Sequence, residues 1–133
     1  MIVNAVLLLF AATVVPASSE VMRHEAMVAM PDGVRLYTRA IAPKAGGKWP
    51  CVFMRTPYPD PDELKVPYPL ERAAKNDFVR RGYVSVVQHC RGFGRSEGFC
   101  RAYDEREDGL ATLDWIRRQS WYNGEIFLVG ASY

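Results

Sequence analysis

Three short, almost unbroken apolar runs, Cys51–Met54, Tyr83–Val87 and Ile126–Val129, constrain this chain more than anything else in it. Val, Ile and Phe without polar alternation suit strands covered on both faces, as in a parallel sheet. Parallel neighbours need crossovers of a dozen or more residues, and both intervals are long enough. The first holds Leu70–Arg81, followed by Gly82 as a glycine cap would follow a helix. The second holds Asp104–Gln119, with Leu110, Leu113 and Ile116 on one helical face and Asp104 as N-cap. Upstream, Glu25–Met30 and Val34–Ile41 flank Pro31-Asp32-Gly33, a turn tripeptide that makes them an antiparallel hairpin. The expected class is α/β: a leading hairpin, then parallel strands alternating with crossover helices.

Two segments stand outside that alternation. Met1–Ser19 carries no charged side chain, runs apolar from Ala5 to Val15 apart from Thr13, and ends in Pro16-Ala17-Ser18-Ser19. It reads as a secretory signal cleaved near Ser19–Glu20, so export is expected, with residues 20–133 as the mature part. A buried strand and an uncleaved anchor are the alternatives; the apolar stretch is shorter than the roughly 20 residues a spanning helix needs. Pro57–Pro69 holds five of the nine prolines, which bars it from strand and helix interiors. It is too long for a simple connector and is expected to shape an active site or lid.

The charge balance narrows the function. With 17 Lys+Arg against 15 Asp+Glu the net charge is +2, and the basic pairs Arg80–Arg81 and Arg117–Arg118 sit in mixed surroundings. Nucleic-acid binding needs clustered, uncompensated cations, so it is not expected. Asp104, Glu105, Glu107 and Asp108 gather where a helix dipole favours negative charge, and read as that rather than as a metal site. The cysteines Cys51, Cys90 and Cys100 lack zinc-ligand spacing. Cys51 reads as core. Cys90 and Cys100 flank a glycine-rich loop that a bridge would close, worth about 3 kcal/mol, and the sequence leaves bridged and free forms open. Gly92 and Gly94 suit a tight loop after a strand, pinned by Arg91 and Glu97, since no Gly-x-Gly-x-x-Gly or Gly-Lys-Ser/Thr phosphate motif is present.

The residues with most chemistry are Val129-Gly130-Ala131-Ser132-Tyr133. An apolar strand running into Gly-x-Ser fits the start of a nucleophile elbow, a sharp turn that lifts the serine above the strand ends. On its own a Gly-Ala-Ser after a strand is more often an ordinary turn. Its setting carries more weight: Met30-Pro31-Asp32-Gly33-Val34-Arg35-Leu36, Met54-Arg55-Thr56-Pro57-Tyr58, Arg81-Gly82-Tyr83, Arg91-Gly92-Phe93-Gly94-Arg95-Ser96-Glu97-Gly98 and Trp121-Tyr122-Asn123-Gly124, in that order. In this combination the chain resembles the α/β-hydrolases of the X-Pro dipeptidyl-peptidase and cocaine-esterase-like group, from about Glu25 to Tyr133.

The resemblance implies a serine hydrolase that cleaves an ester or amide through an acyl-enzyme, without cofactor or metal. It matches Ser132 to the nucleophile and Tyr58 to a tyrosine whose hydroxyl helps form the oxyanion hole; the backbone N–H of Tyr133 would be the second donor. The implied substrate is a small-molecule ester, amide or peptide: a peptide with proline in second position, an amino-acid ester, a β-lactam side-chain amide or an aryl ester. The chain departs from the group at Gln88-His89-Cys90, where an Asp or Asn is usual after the glutamine. His89 precedes the serine, whereas α/β-hydrolases order the triad Ser, acid, His, so it reads as structural; His24 reads as exposed. Because acid and histidine should follow Ser132, the expectation is an incomplete fold, the N-terminal part of a longer enzyme, inactive by itself. Two rivals are a short exported non-catalytic binding or structural remnant, and a lipase or carboxylesterase. The latter commonly use a glycine-rich oxyanion loop, which Thr56-Pro57-Tyr58 is not.

N-terminal sequencing of the protein from its source cells should begin at or next to Glu20; retention of Met1 would contradict the signal reading.

Overall fold

A computed structural model describes residues 21–58 and 77–130. The expected signal segment, most of the proline-rich loop, residues 70–76 of the first expected helix, Ser132 and Tyr133 lie outside the described residues. Among the described residues five strands form one sheet: β1 Val21–Ala29, β2 Arg35–Pro43, β3 Trp49–Thr56, β4 Val84–His89 and β5 Tyr122–Leu128. Their spatial order is β1-β2-β4-β3-β5. The hairpin pairs β1 with β2, β2 is antiparallel to β4, and β3 lies parallel between β4 and β5. This is the mixed α/β arrangement of an incomplete α/β-hydrolase-like fold.

The hairpin closes as its tripeptide predicts. Met30 N–H donates to Val34 O at 2.8 Å and Gly33 N–H to Met30 O at 2.9 Å, while the Asp32 carboxylate accepts from Val34 N–H at 3.2 Å. Gly33 has φ 86°, open to glycine at little cost. Of the first crossover helix, residues 77–80 are helical among the described residues. They end at Gly82 in a paired cap: Gly82 N–H donates to Val79 O and Tyr83 N–H to Phe78 O. The second crossover helix, α1 (Arg106–Arg117), is shorter than expected.

α1 packs on one face of the sheet, with Ile116 fully buried among Phe53, Val84 and Val86, and Ala111 and Trp115 against the cluster that holds Leu36. Phe78 and Met54 pack on the opposite face, so the sheet is an inner layer. Each fully buried Leu, Val or Ile contributes about 1.5–3 kcal/mol through the area it removes from water.

Three expectations are corrected. The N-cap of α1 is Glu105, with no side-chain capping bond, not Asp104. Glu105 is held by an arginine instead, as described below. The buried stripe of α1 is Asp108, Thr112 and Ile116, while Leu110 is 41% exposed. Two of the three stripe residues are polar, which is why an apolar count misplaces the face. β5 is not buried on both faces: Phe127 is 49% and Leu128 69% exposed. It is last in the strand order and pairs only with β3 among the described strands, so among the described residues it is an edge strand.

Gly92 tests the packing of the loop after β4. It has φ 77°, and a Cβ there would meet Cys100 N at 2.6 Å, a backbone atom that cannot swing aside. Gly33 has a similar φ but nothing within 4 Å. Gly92→Ala should lower unfolding free energy by about 2 kcal/mol or more, against about 1 kcal/mol for Gly33→Ala. Urea denaturation of the two variants side by side checks the ranking.

Candidate active site

Parallel pairing brings the carboxyl ends of β3, β4 and β5 to one edge of the sheet. Thr56 is in register with His89, and Cys90 N–H donates to Thr56 O at 2.9 Å. On the other side Phe53 is in register with Leu128, and Val129 N–H donates to Phe53 O at 3.0 Å. The segments leaving β3 (Pro57-Tyr58), β4 (Cys90-Arg91) and β5 (Val129-Gly130) therefore emerge side by side. Crevices outside the carboxyl ends of strands are where open α/β sheets bind ligands.

Tyr58 stands on this edge, half-buried, with its backbone N–H donating to the Thr56 hydroxyl at 3.1 Å. Ser132 and Tyr133, the other two expected site residues, lie outside the described residues. Gly130 is the last described residue before them.

Beneath the edge runs a buried polar network that sequence reading did not find. Arg91 donates to Asp108 through Nε at 3.0 Å and Nη2 at 2.6 Å, with both side chains 6% exposed. The same guanidinium reaches Asp32 in the hairpin turn at 2.8 Å. Arg55, next to Thr56, pairs with Glu105 at 2.9 Å and lies 3.7 Å from Asp108. Its Nε donates to Gln88 Oε1 at 2.9 Å, which also accepts from the Thr112 hydroxyl at 3.0 Å, while Gln88 Nε2 donates to Thr38 at 2.9 Å. Two arginines thus tie β2, β3, β4, the hairpin turn and the start of α1 together. A charge can be buried this way only where it is paired and hydrogen-bonded. Asp108 and Glu105, expected to answer the helix dipole, are instead the acids of this network. The signal available in sequence was the i, i+4, i+8 spacing of Asp108, Thr112 and Ile116, together with an arginine ending an apolar strand.

The titration behaviour follows from these contacts. Arg91 is held charged, its pKa raised by hydrogen bonds to Asp108 and Asp32. Asp32 is held below its ordinary 3.8 by its hydrogen bond from Arg91, and Glu97 below 4.5 by Arg35. Burial pushes the thiols of Cys51 and Cys90 up to about 12, so neither offers a thiolate nucleophile near neutral pH. All three cysteines are free, and the Cys90 Sγ donates to Glu105 at 3.3 Å. His89 is buried on the face opposite α1, against the Tyr37 ring at 5.3 Å, and its Nδ1 accepts from Arg95 N–H at 3.2 Å. That ring nitrogen serves the loop, as a structural histidine would. His24 is exposed and stacks on Trp115. Among the described residues no group of acids, histidines and cysteines is arranged to hold a metal, and no helix is long and apolar enough to cross a membrane.

The fold and this strand edge define an α/β-hydrolase-like protein, and comparison with known proteins gives the family. The profile of the X-Pro dipeptidyl-peptidases (S15 family) matches residues 32–133, and the chain belongs to that family. It is 39% identical over 110 residues to the cocaine esterase of Rhodococcus sp. (strain MB1 Bresler), covering 80% of this chain and 18% of that protein. Among solved structures, an α-amino acid ester hydrolase superposes with a TM-score of 0.70 at 31% identity, over 85% of this chain and 21% of that one. An aminopeptidase from a marine sediment Thaumarchaeota archaeon gives 0.67 at 26% identity, over 83% and 21%. The chain thus spans about a fifth of the length of these relatives.

Removing one member of the buried network strands the rest. Asp108→Ala should cost about 3–5 kcal/mol of stability. Glu107→Ala, which breaks only the exposed pair with Arg106, should cost under about 1 kcal/mol. Asp32 and Glu97 have depressed folded-state pKa values, so their stabilisation is present above 3.8 and 4.5 and is lost as the pH falls below those values. Urea midpoints measured from pH 7 down to pH 3 should therefore decline through that acid range.

Proposed function

We propose that the protein is a serine hydrolase that attacks the acyl carbon of an ester or amide and passes through a covalent acyl-enzyme. Ser132 is the nucleophile, and the Tyr58 hydroxyl and Tyr133 N–H are the oxyanion donors. The observation that carries this reading is the parallel pairing of β3 with β5. It makes Thr56-Pro57-Tyr58 and the strand that runs into Gly130-Ala131-Ser132 neighbours on one sheet edge. Family membership supports the same chemistry, and the names of the relatives span esterase, ester hydrolase and peptidase.

The mechanism follows from what such an edge offers. The serine hydroxyl adds to the carbonyl carbon as a base takes its proton, and the carbonyl oxygen becomes an alkoxide. A phenol O–H and a backbone N–H aimed at that oxygen lower the barrier, each worth roughly 3 kcal/mol. Collapse expels the alcohol or amine, and water then releases the acid. α/β-hydrolases take the acid and histidine of the triad from positions after the serine, so the proposal is made for a protein in which those residues follow Ser132. His89 is not the base in this reading, because its Nδ1 already serves the Arg95 amide. Export, resting on the pattern of Met1–Ser19, belongs to the same proposal.

Hydrolysis of p-nitrophenyl acetate by the whole protein is the test. Ser132→Ala should abolish turnover, and Tyr58→Phe should lower kcat/KM by about 100-fold with the unfolding midpoint unchanged. Turnover that survives Ser132→Ala would overturn the reading and favour a differently built site, and a folded parent protein without turnover would favour the non-catalytic rival.

A further inference from the structure

We infer that Thr56 is a positioning residue for the oxyanion-hole tyrosine: its side-chain hydroxyl clamps the Pro57-Tyr58 turn and so sets where the Tyr58 phenol stands. The inference rests on the assignment of Tyr58 as an oxyanion donor.

Thr56 is the last residue of β3, buried and held in the ladder by β4. It is 4% exposed, it sits in register with His89 on β4, and its carbonyl accepts from Cys90 N–H at 2.9 Å. Its neighbour Arg55 is held by Glu105, Asp108 and Gln88. The backbone at Thr56 therefore belongs to the rigid sheet. One residue later the chain leaves the ladder at Pro57, which has no N–H to donate and whose ring fixes φ. The next backbone donor is the N–H of Tyr58, and it is taken by the Thr56 hydroxyl at 3.1 Å. This side-chain-to-backbone bond two residues on is the local turn that threonine and serine make. It ties the first residue off the sheet edge back to the last residue on it.

The consequence is geometric. An oxyanion donor acts only when its proton is aimed at the position the alkoxide will occupy, and it must be there before the reaction begins. A tyrosine on a loop after a proline has the reach but not the order. The Thr56 hydroxyl supplies order at its backbone, and the buried arginine network supplies a fixed base for Thr56. A displacement of about 1 Å at such a donor is enough to cost up to 100-fold in rate.

Valine is close in shape to threonine but lacks the hydroxyl, so Thr56→Val removes the clamp while keeping the β-branched side chain. Thr56→Ser keeps the hydroxyl and loses only a methyl group. For the whole protein hydrolysing p-nitrophenyl acetate, Thr56→Val should lower kcat about 10-fold with KM nearly unchanged, and Thr56→Ser should restore kcat to within about twofold of the parent. The decisive comparison is the double variant. In a Tyr58→Phe background the phenol is already gone, so adding Thr56→Val should slow the enzyme no further. An equal loss in both backgrounds, or parental kcat in Thr56→Val, would overturn the clamp while leaving Tyr58 as a donor. If Thr56→Val lowers kcat and Thr56→Ser lowers it equally, the hydroxyl is not the cause and the inference fails. If Tyr58→Phe itself has no effect, the donor assignment fails first, and that result separates the two claims. Should Thr56→Val not fold, the Thr56→Ser variant, alone and combined with Tyr58→Phe, still decides: kcat more than about twofold below the parent in the single variant overturns the clamp.

Discussion

The buried ion pair between Arg91 and Asp108 is the interaction on which the rest of the described structure depends. Each of its partners sits on a different element: Arg91 just past β4, Asp108 in the first turn of α1, and Asp32 in the hairpin turn. Arg55, the residue before the last of β3, joins through Glu105 and Asp108. Hydrophobic burial holds α1 on the sheet, but it is non-directional and would tolerate sliding. Fixed, paired charges do not, because a misplaced partner leaves a buried charge unpaired. The network therefore sets how α1 and the hairpin register against the strand ends.

That registration matters because the edge above it carries the chemistry. The same strand that buries Arg55 on the helix side places Thr56 in the ladder and Tyr58 just beyond it. Side chains alternate faces along a strand, so one short segment anchors the layer below and launches the loop above. Glu97, which binds Arg35, and Ser96, which accepts from Tyr37 N–H, fasten the loop after β4 back onto β2. The three exits at this edge thus start from fixed points.

Much of this architecture is written in local pattern. The hairpin around Pro31-Asp32-Gly33 and the three apolar runs are visible because turn chemistry and burial leave direct marks on composition. The glycine cap at Gly82 is legible for the same reason. The buried stripe of α1 is not, because Asp108 and Thr112 occupy core positions only by virtue of Arg91 and Gln88, residues 17 and 24 positions upstream. Periodicity finds apolar faces and passes over polar ones whose partners are distant. The exposure of Phe127 and Leu128 is hidden for another reason: a strand's sequence states its preference for burial, not whether a neighbour lies beside it. For the site, Tyr58 is legible through family resemblance rather than through pattern. Its bond to Thr56 needed three-dimensional geometry.

The most direct measurement is to treat the whole protein with a fluorophosphonate, which bonds covalently to an activated serine hydroxyl, and to map the modified peptide by mass spectrometry. The account predicts a single adduct on Ser132, lost when the protein is unfolded before labelling. An adduct on another residue, or none on a folded protein, would contradict it.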